Sequence, residues 1–352
     1  MNRAAVASRI FLAVTVLPAI GAAGYVAYQY RHQSAAAPVY RIAAVDPSSV
    51  NAFPTGGAIL GVFAPTLPRA GQTVSDTAAL TSFDRAVGRR ATLTVAYLNW
   101  GSPFPAKYVT DASRLGARTV IELEPRGTGA PSLARIAGGH GDEWLHSFAA
   151  ELASTQRPVA LSFGPEMNGT WYTYGSSTAG DYVRAFRHVH NVLLNDVGQR
   201  LTPAAASRLI TFMWQPSSMH GYTPSPMPYW PGSKYVEIVG LDGYYYHATD
   251  TFHSVFAHQI TVLRKRSPHT KIMIGETAVG PLTGHQAAGI KDLFAGIKHR
   301  HLAGLIWFNR NQMGLHFPAK QRIYHQDWRL QDHPAALRAF KAGLKSVSPL
   351  AS

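Results

Sequence analysis

The sequence predicts one (β/α)8 TIM barrel of class α/β, and three observations carry that prediction. Eight short apolar runs recur between residues 58 and 308, separated by amphipathic stretches. The runs are hydrophobic throughout rather than alternating, as strands covered on both faces are. Eight strands alternating with helices imply a parallel sheet, and eight is the number that closes a barrel. A doubly wound open sheet is the competing arrangement, but no glycine-rich phosphate loop follows the first run.

In chain order, the first apolar run covers 58–64 and leads to a helical pattern at 77–89. A second run at 92–98 precedes the helix 106–115, and a third at 119–123 precedes 143–153. The fourth run, 159–163, is followed by the long amphipathic stretch 180–196, and the fifth spans 209–214. The connection onward lacks a clear helix; 224–232 is proline-rich and reads as a loop. The sixth run at 236–241, seventh at 272–275 and eighth at 304–308 alternate with helices 252–265 and 285–298, and a last helix at 334–344 closes the chain.

Ahead of the barrel, Arg3 and Arg9 precede the uncharged stretch 10–28, with Arg31 and His32 behind it. A positive flank followed by an apolar segment marks a secretory signal or an N-terminal membrane anchor. The stretch is long for a signal and reaches the lower limit for spanning a bilayer, which favours an uncleaved anchor over cleavage near 21–23 or 35–37. Residues 31–55, rich in Ala, Pro and Ser, read as a linker. The expected organisation is therefore 1–30 signal or anchor, 31–55 linker and 56–348 catalytic barrel. The barrel would lie outside the cytoplasm, secreted or held at a membrane by residues 10–28.

With no cysteine, disulfide frameworks, thiolate zinc sites and cysteine nucleophiles are excluded. The net charge of +14 draws the chain toward anionic surroundings. Its densest basic clusters, 264–266 and 298–301, sit where predicted helices end, so they read as solvated faces rather than a nucleic-acid interface. His188 and His190, like His299 and His301, are two residues apart and share no helical face, and no HExxH or GxSxG motif occurs. No metal and no cofactor are expected.

Function in a parallel barrel belongs at the C-terminal ends of the strands. There the runs end in Asn99-Trp100, Glu122-Leu123-Glu124, Glu166-Met167-Asn168, Trp214-Gln215, Asp242-Gly243-Tyr244, Glu276 and Trp307-Phe308-Asn309, with Trp171 and Tyr172 just beyond the fourth. Carboxyls are costly to bury and seldom close an apolar strand without a reason. Glu166 and Glu276 at matched strand ends point to an acid/base and nucleophile pair of the glycosidase type. Aromatics and amides around them suit a sugar, whose flat faces stack and whose hydroxyls pair with polar groups. Glu122 is expected to alternate away from Glu124, leaving Glu124 in the pocket. Trp214 and Trp307 can also be plain barrel core, and Asp242 a structural carboxylate.

Four segments, in order, resemble glycoside hydrolase family 26, known for retaining β-mannanases. The stretch Pro165-Glu166-Met167-Asn168-Gly169-Thr170-Trp171-Tyr172-Thr173-Tyr174-Gly175 is similar to the family's His-Glu-Met-Asn-Gly-x-Trp-Tyr-Pro-Trp-Gly. The segments 229–244, 274–277 and 304–309 resemble its later strands, the likeness covering roughly 58–310. The resemblance implies Glu166 as acid/base and Glu276 as nucleophile. It also implies that Tyr244 hydrogen-bonds the nucleophile, Asp242 lines the adjoining pocket, Trp307 stacks under the sugar and Trp171 lines the cleft. Pro165 stands where the family has histidine, and Tyr174 replaces a tryptophan.

The expected activity is retaining, endo-acting hydrolysis of a β-linked polysaccharide, β-mannan first and β-glucan next, by a monomer. Asn99, Trp100, Glu124, Asn168, Trp171, Tyr172, Trp214, Asp242, Tyr244 and Trp307 would contact the substrate. A catalytically weakened glycan-binding envelope protein of the same fold is the alternative. A third possibility is an accessory enzyme that trims a polymer during export.

Overall fold

The computed structural model describes residues 53, 58–64, 76–218, 223–281, 284–317 and 322–347. The N-terminal apolar stretch and the linker, apart from Phe53, lie outside the described residues. Among the described residues no helix is long and apolar enough to cross a membrane.

Eight parallel strands close into a barrel in sequence order, β1 to β8. They are β1 (Ile59–Phe63), β2 (Leu93–Asn99), β3 (Arg118–Glu124), β4 (Val159–Phe163), β5 (Ile210–Trp214), β6 (Ile238–Asp242), β7 (Lys271–Thr277) and β8 (Gly304–Phe308). Each lies within two residues of its predicted run. Closure depends on the approach of β8 to β1: a Cβ added to Gly304 would meet the Ile59 carbonyl oxygen at 2.1 Å, and Gly304 adopts φ 150°. Only glycine fits that position.

Helices cover the barrel as the amphipathic pattern requires. They are α1 (Asp76–Val87), α2 (Ala106–Arg114), α3 (Leu133–Ala137), α4 (Asp142–Thr155), α5 (Ala179–Arg200), α6 (Pro203–Leu209), α7 (His258–Arg266), α8 (Gln286–His299) and α9 (Pro334–Val347). The terminal helix is tied to the layer by Phe340, whose ring meets Phe294 at 5.1 Å and Trp307 at 5.2 Å. The β5–β6 connection carries only two short 3-10 turns, Met227–Tyr229 and Ser233–Tyr235, in keeping with its prolines.

Three elements were not expected from the sequence. The short helix α3 starts at Ser132, whose hydroxyl accepts from the Arg135 amide, and α6 starts at Thr202 followed by Pro203. Both carry ordinary start signals but are too short for a periodic pattern to show. The third is an antiparallel hairpin after the barrel, β9 (Asn311–Phe317) with β10 (Arg322–Asp327). It returns the chain to the barrel mouth and delivers Trp328 there.

Candidate active site

Register fixes which side chains enter the barrel. Paired residues on neighbouring parallel strands share a face, and successive residues alternate. Tyr97 pairs with Glu122, Asn99 with Glu124, and Glu122 with Ser162. Residues two apart therefore point the same way, so Glu122 joins Glu124 inside. Both are buried, at 2% and 1% exposure, which corrects the expectation that one of them faces outward.

Glu166 is set by the strained exit from β4. Gly164 and Glu166 both adopt left-handed backbone, at φ 57° and 53°. A non-glycine residue pays on the order of 1–2 kcal/mol for that conformation. The Glu166 amide donates to the Gln215 carbonyl at 2.7 Å, and the Tyr174 hydroxyl donates to the Pro165 carbonyl at 2.8 Å. The turn is thus held through backbone groups, with a phenol from the replaced tryptophan position bracing the proline. Trp171 donates its indole N–H to Glu166 Oε2 at 2.7 Å. Its ring lies flat over Gly169, where any Cβ would meet it at 2.4 Å. At 43% exposure Trp171 forms the rim of the site.

Glu276 sits opposite, held by two phenols. Tyr244 donates to its Oε1 and Tyr97 to its Oε2. Tyr244 is in turn stacked on Trp328, with ring centroids 5.0 Å apart, and Phe308 closes against both. Behind the pair, Gln215 Nε2 bridges two further buried carboxyls, donating to Glu122 Oε1 at 2.8 Å and Asp242 Oδ1 at 3.1 Å. Glu124 accepts from Arg126 Nε at 2.9 Å, and the Arg126 guanidinium lies over the Tyr172 ring.

Five carboxyls so close together cannot all ionise. Burial pushes Glu166 up to about 8, and the charge of Glu276 adds to that, while the Trp171 donation opposes it. Burial and then the Glu276 charge also raise Glu122 and Asp242 well above the carboxylate range. Burial lifts Glu124 to about 7 against the pull of Arg126. Glu276 is raised by burial as well, but the Tyr244 and Tyr97 hydroxyls and the charge of Arg310 favour its ionised form. The negative charge therefore settles on Glu276, and the proton stays on Glu166.

Of the residues singled out by sequence, Glu124, Glu166, Asp242, Tyr244, Glu276, Tyr172 and Trp171 come together at this mouth, and Asn99 ends β2 beside them. Three tryptophans do not. Trp307 pairs with Thr277, the neighbour of Glu276, and so faces outward. Its ring packs on Phe340 and its indole N–H donates to the Trp328 carbonyl at 3.0 Å, a placement that leaves it no sugar to stack under. Trp214 is fully buried against Trp230, and Trp100 against Trp144 and Phe163. Asn168 is buried, and its amide is spent on the Ser217 backbone and the Pro224 carbonyl, fastening the β4 loop to the β5 loop. It positions Glu166 and has no polar atom left for substrate.

Sequence reasoning missed Tyr97, Arg126 and Trp328, and named Gln215 only as the end of the fifth strand. Tyr97 had a signal, being two residues before Asn99 on the same strand and hence on the same face. Trp328 had none, because it lies beyond the eighth strand.

Two outcomes follow from this electrostatic arrangement. Glu122→Gln keeps an acceptor for Gln215 but removes a buried titratable carboxyl. A carboxyl with a raised folded pKa binds more protons folded than unfolded, so its contribution to stability is lost as pH rises from the unfolded value, about 4.3. Urea unfolding should therefore show Glu122→Gln gaining on the wild type between pH 5 and pH 8; a gap that stays constant or closes would refute the raised value. Tyr97→Phe removes one donor from ionised Glu276, so the Glu276 pKa rises and, as pH falls, the ionised form that activity needs is lost sooner. The acid limb of kcat/KM should move upward, with a loss of about 10- to 100-fold for a hydrogen bond to a charged group.

A closed (β/α)8 barrel with an asymmetric glutamate pair at the mouth is the architecture of a two-carboxylate glycosidase. Within that class the chain resembles glycoside hydrolase family 26. The model described as "Glycosyl hydrolase family 26" matches residues 143–292, which include Glu166, Asp242, Tyr244 and Glu276. Endoglucanase H of Acetivibrio thermocellus is 23% identical over 288 residues, covering 77% of this chain and 29% of its own length. The chain thus spans less than a third of that relative. The catalytic domain of the Bacillus sp. JAMB-750 endo-β-1,4-mannanase superposes with TM-score 0.57 at 14% identity, over 82% of this chain and 86% of that one. A Cellulomonas fimi endo-β-1,4-mannanase gives 0.56 at 16% identity, over 82% and 70%. The structural likeness shows the fold, and the family match supports glycosidase activity.

Proposed function

We propose that the chain is a retaining, endo-acting glycoside hydrolase of an uncharged β-linked polysaccharide, β-mannan first and β-glucan next. The observation that carries this reading is the opposite environment of the two glutamates. Glu276 is stabilised as an anion by two phenols, while Glu166 is kept protonated by burial and by the charge of Glu276. Glu166 would protonate the glycosidic oxygen as Glu276 attacks the anomeric carbon, giving a covalent glycosyl-enzyme. Glu166, now a base, would then take a proton from the water that releases the sugar. The names of the mannanase and endoglucanase relatives support a β-1,4-glycan.

Charge argues for an uncharged sugar. Five carboxyls line or back the mouth against two guanidiniums, Arg126, which is committed to Glu124, and Arg310, whose charge supports ionised Glu276. A uronic acid or phosphate-bearing glycan would add charge where three carboxyls are already held neutral. An N-terminal anchor or signal would place this activity outside the cytoplasm.

The test is incubation with β-mannan, β-1,4-glucan, xylan and β-1,4-linked polymannuronate, following reducing ends and the anomer released first by proton NMR. Release of the β-anomer from an uncharged glycan is the expected result. First release of the α-anomer would overturn retention, and cleavage of polymannuronate alone would overturn the substrate class. Binding without any release would favour the glycan-binding alternative.

A further inference from the structure

The end of the barrel opposite the mouth carries a second cavity, of about 420 Å³, beside the strand entries of β2 and β3. Four arginines, Arg85, Arg89, Arg90 and Arg114, are among its lining residues, with one acidic residue, Asp84. Arg85 and Arg114 end their helices, where the helix dipole favours a cation. That accounts for each of the two singly. It does not account for Arg90, which follows the turn after α1, or for the presence of four arginines around one cavity.

The local carboxylates offset this charge only in part: two acids, Asp84 and Asp111, stand against four arginines. Asp84 Oδ1 accepts from the Ala91 amide at 2.7 Å, and burial raises its pKa against the pull of that amide and of the Arg90 charge. Asp111 pairs with Arg114 Nη1 at 2.9 Å from outside the cavity wall. Among the described residues Arg85 and Arg90 make no ion pair. Arg89 is anchored, its Nη2 donating at 2.6 Å to the carbonyl of Ala58, the residue before β1. Arg85, Arg90 and Arg114 are exposed, so water screens part of their mutual repulsion, and an anion between them would relieve the rest. The planar forks of guanidinium match a phosphoryl group in two-point contact.

We propose that this cavity binds a phosphoryl group, as a free phosphate ester or as the phosphate of a lipid headgroup. Its volume exceeds a bare phosphate and leaves room for the substituent. The site lies at the end where the chain enters the barrel, so a phosphate bound there leaves the acidic mouth open on the far side. An N-terminal anchor would bring the same end toward a lipid surface.

The full chain is titrated with inorganic phosphate and with pyrophosphate, reading Tm, and compared with Arg85→Ala/Arg90→Ala. Lys265→Ala/Arg266→Ala serves as the control that removes the same charge elsewhere. The expected result is saturable stabilisation of the wild type and the control, with affinity weakened about tenfold or more in the cavity variant. Arg90→Gln alone carries the same reading if the pair disturbs folding. A second arm measures partition onto phosphatidylglycerol and phosphatidylcholine vesicles. A preference for the anionic vesicles that the cavity variant loses identifies a lipid phosphate, and an unchanged preference identifies a soluble ester. No stabilisation by phosphate, or equal stabilisation of all variants as a general salt effect would give, overturns the site.

Discussion

Glu276→Ala is expected to end turnover of the polysaccharide while the barrel stays folded. The loss should be on the order of 10⁵-fold, about 7 kcal/mol of transition-state stabilisation, as for other covalent nucleophiles. Two features of the site make the result specific. First, the variant leaves Tyr97 and Tyr244 facing a space where a carboxylate stood, with their donors intact. A small anion such as azide can occupy that space and attack the anomeric carbon, so activity should return as an α-glycosyl azide. Second, the charge of Glu276 is among the causes that raise Glu122, Glu166 and Asp242. Removing it should lower the Glu166 pKa from about 8, which carboxyl titration by NMR would read directly. Unaltered turnover would reject the nucleophile assignment, and an unchanged Glu166 titration would reject the electrostatic coupling.

The barrel was legible because parallel strands buried on both faces leave continuous apolar runs, which local sequence displays. The side each residue faces was not, and the errors share one cause. A strand flips faces with every residue, so an assignment one position off moves a side chain from the mouth to the helix layer. Trp214 precedes Gln215, and Trp307 precedes Phe308; in each case the inward residue was the neighbour of the one chosen. The same parity, applied correctly, brings Glu122 in with Glu124 and identifies Tyr97 from Asn99. Asn168 was placed near the site, yet its role depends on Ser217 and Pro224, some fifty positions away, a pairing that no local pattern encodes. Trp328 reaches the mouth through a hairpin outside the eightfold repeat, so barrel logic had no place for it.

Glu166→Ala should have an effect that depends on the leaving group, which separates an acid/base from any structural role. A sugar hydroxyl leaves poorly without a proton, so polysaccharide turnover should fall by about 10²- to 10⁴-fold. An aryl β-glycoside with an acidic phenol needs no such help, and its first step should proceed at close to the wild-type rate. The second step still needs a base to activate water, so the glycosyl-enzyme on Glu276 should accumulate and appear in a mass spectrum of the intact protein. The pH profile adds a sign. Glu166 works as an acid only while protonated, so wild-type activity should fall as pH rises through about 8, and this basic limb should vanish in the variant. Trp171→Phe gives the intermediate case. Its indole donates to Glu166 and opposes the upward shift, so losing it should move the basic limb higher while Glu166 remains in place. Equal losses on the polysaccharide and the aryl glycoside, with the basic limb retained, would show that Glu166 acts through the fold and not through its proton.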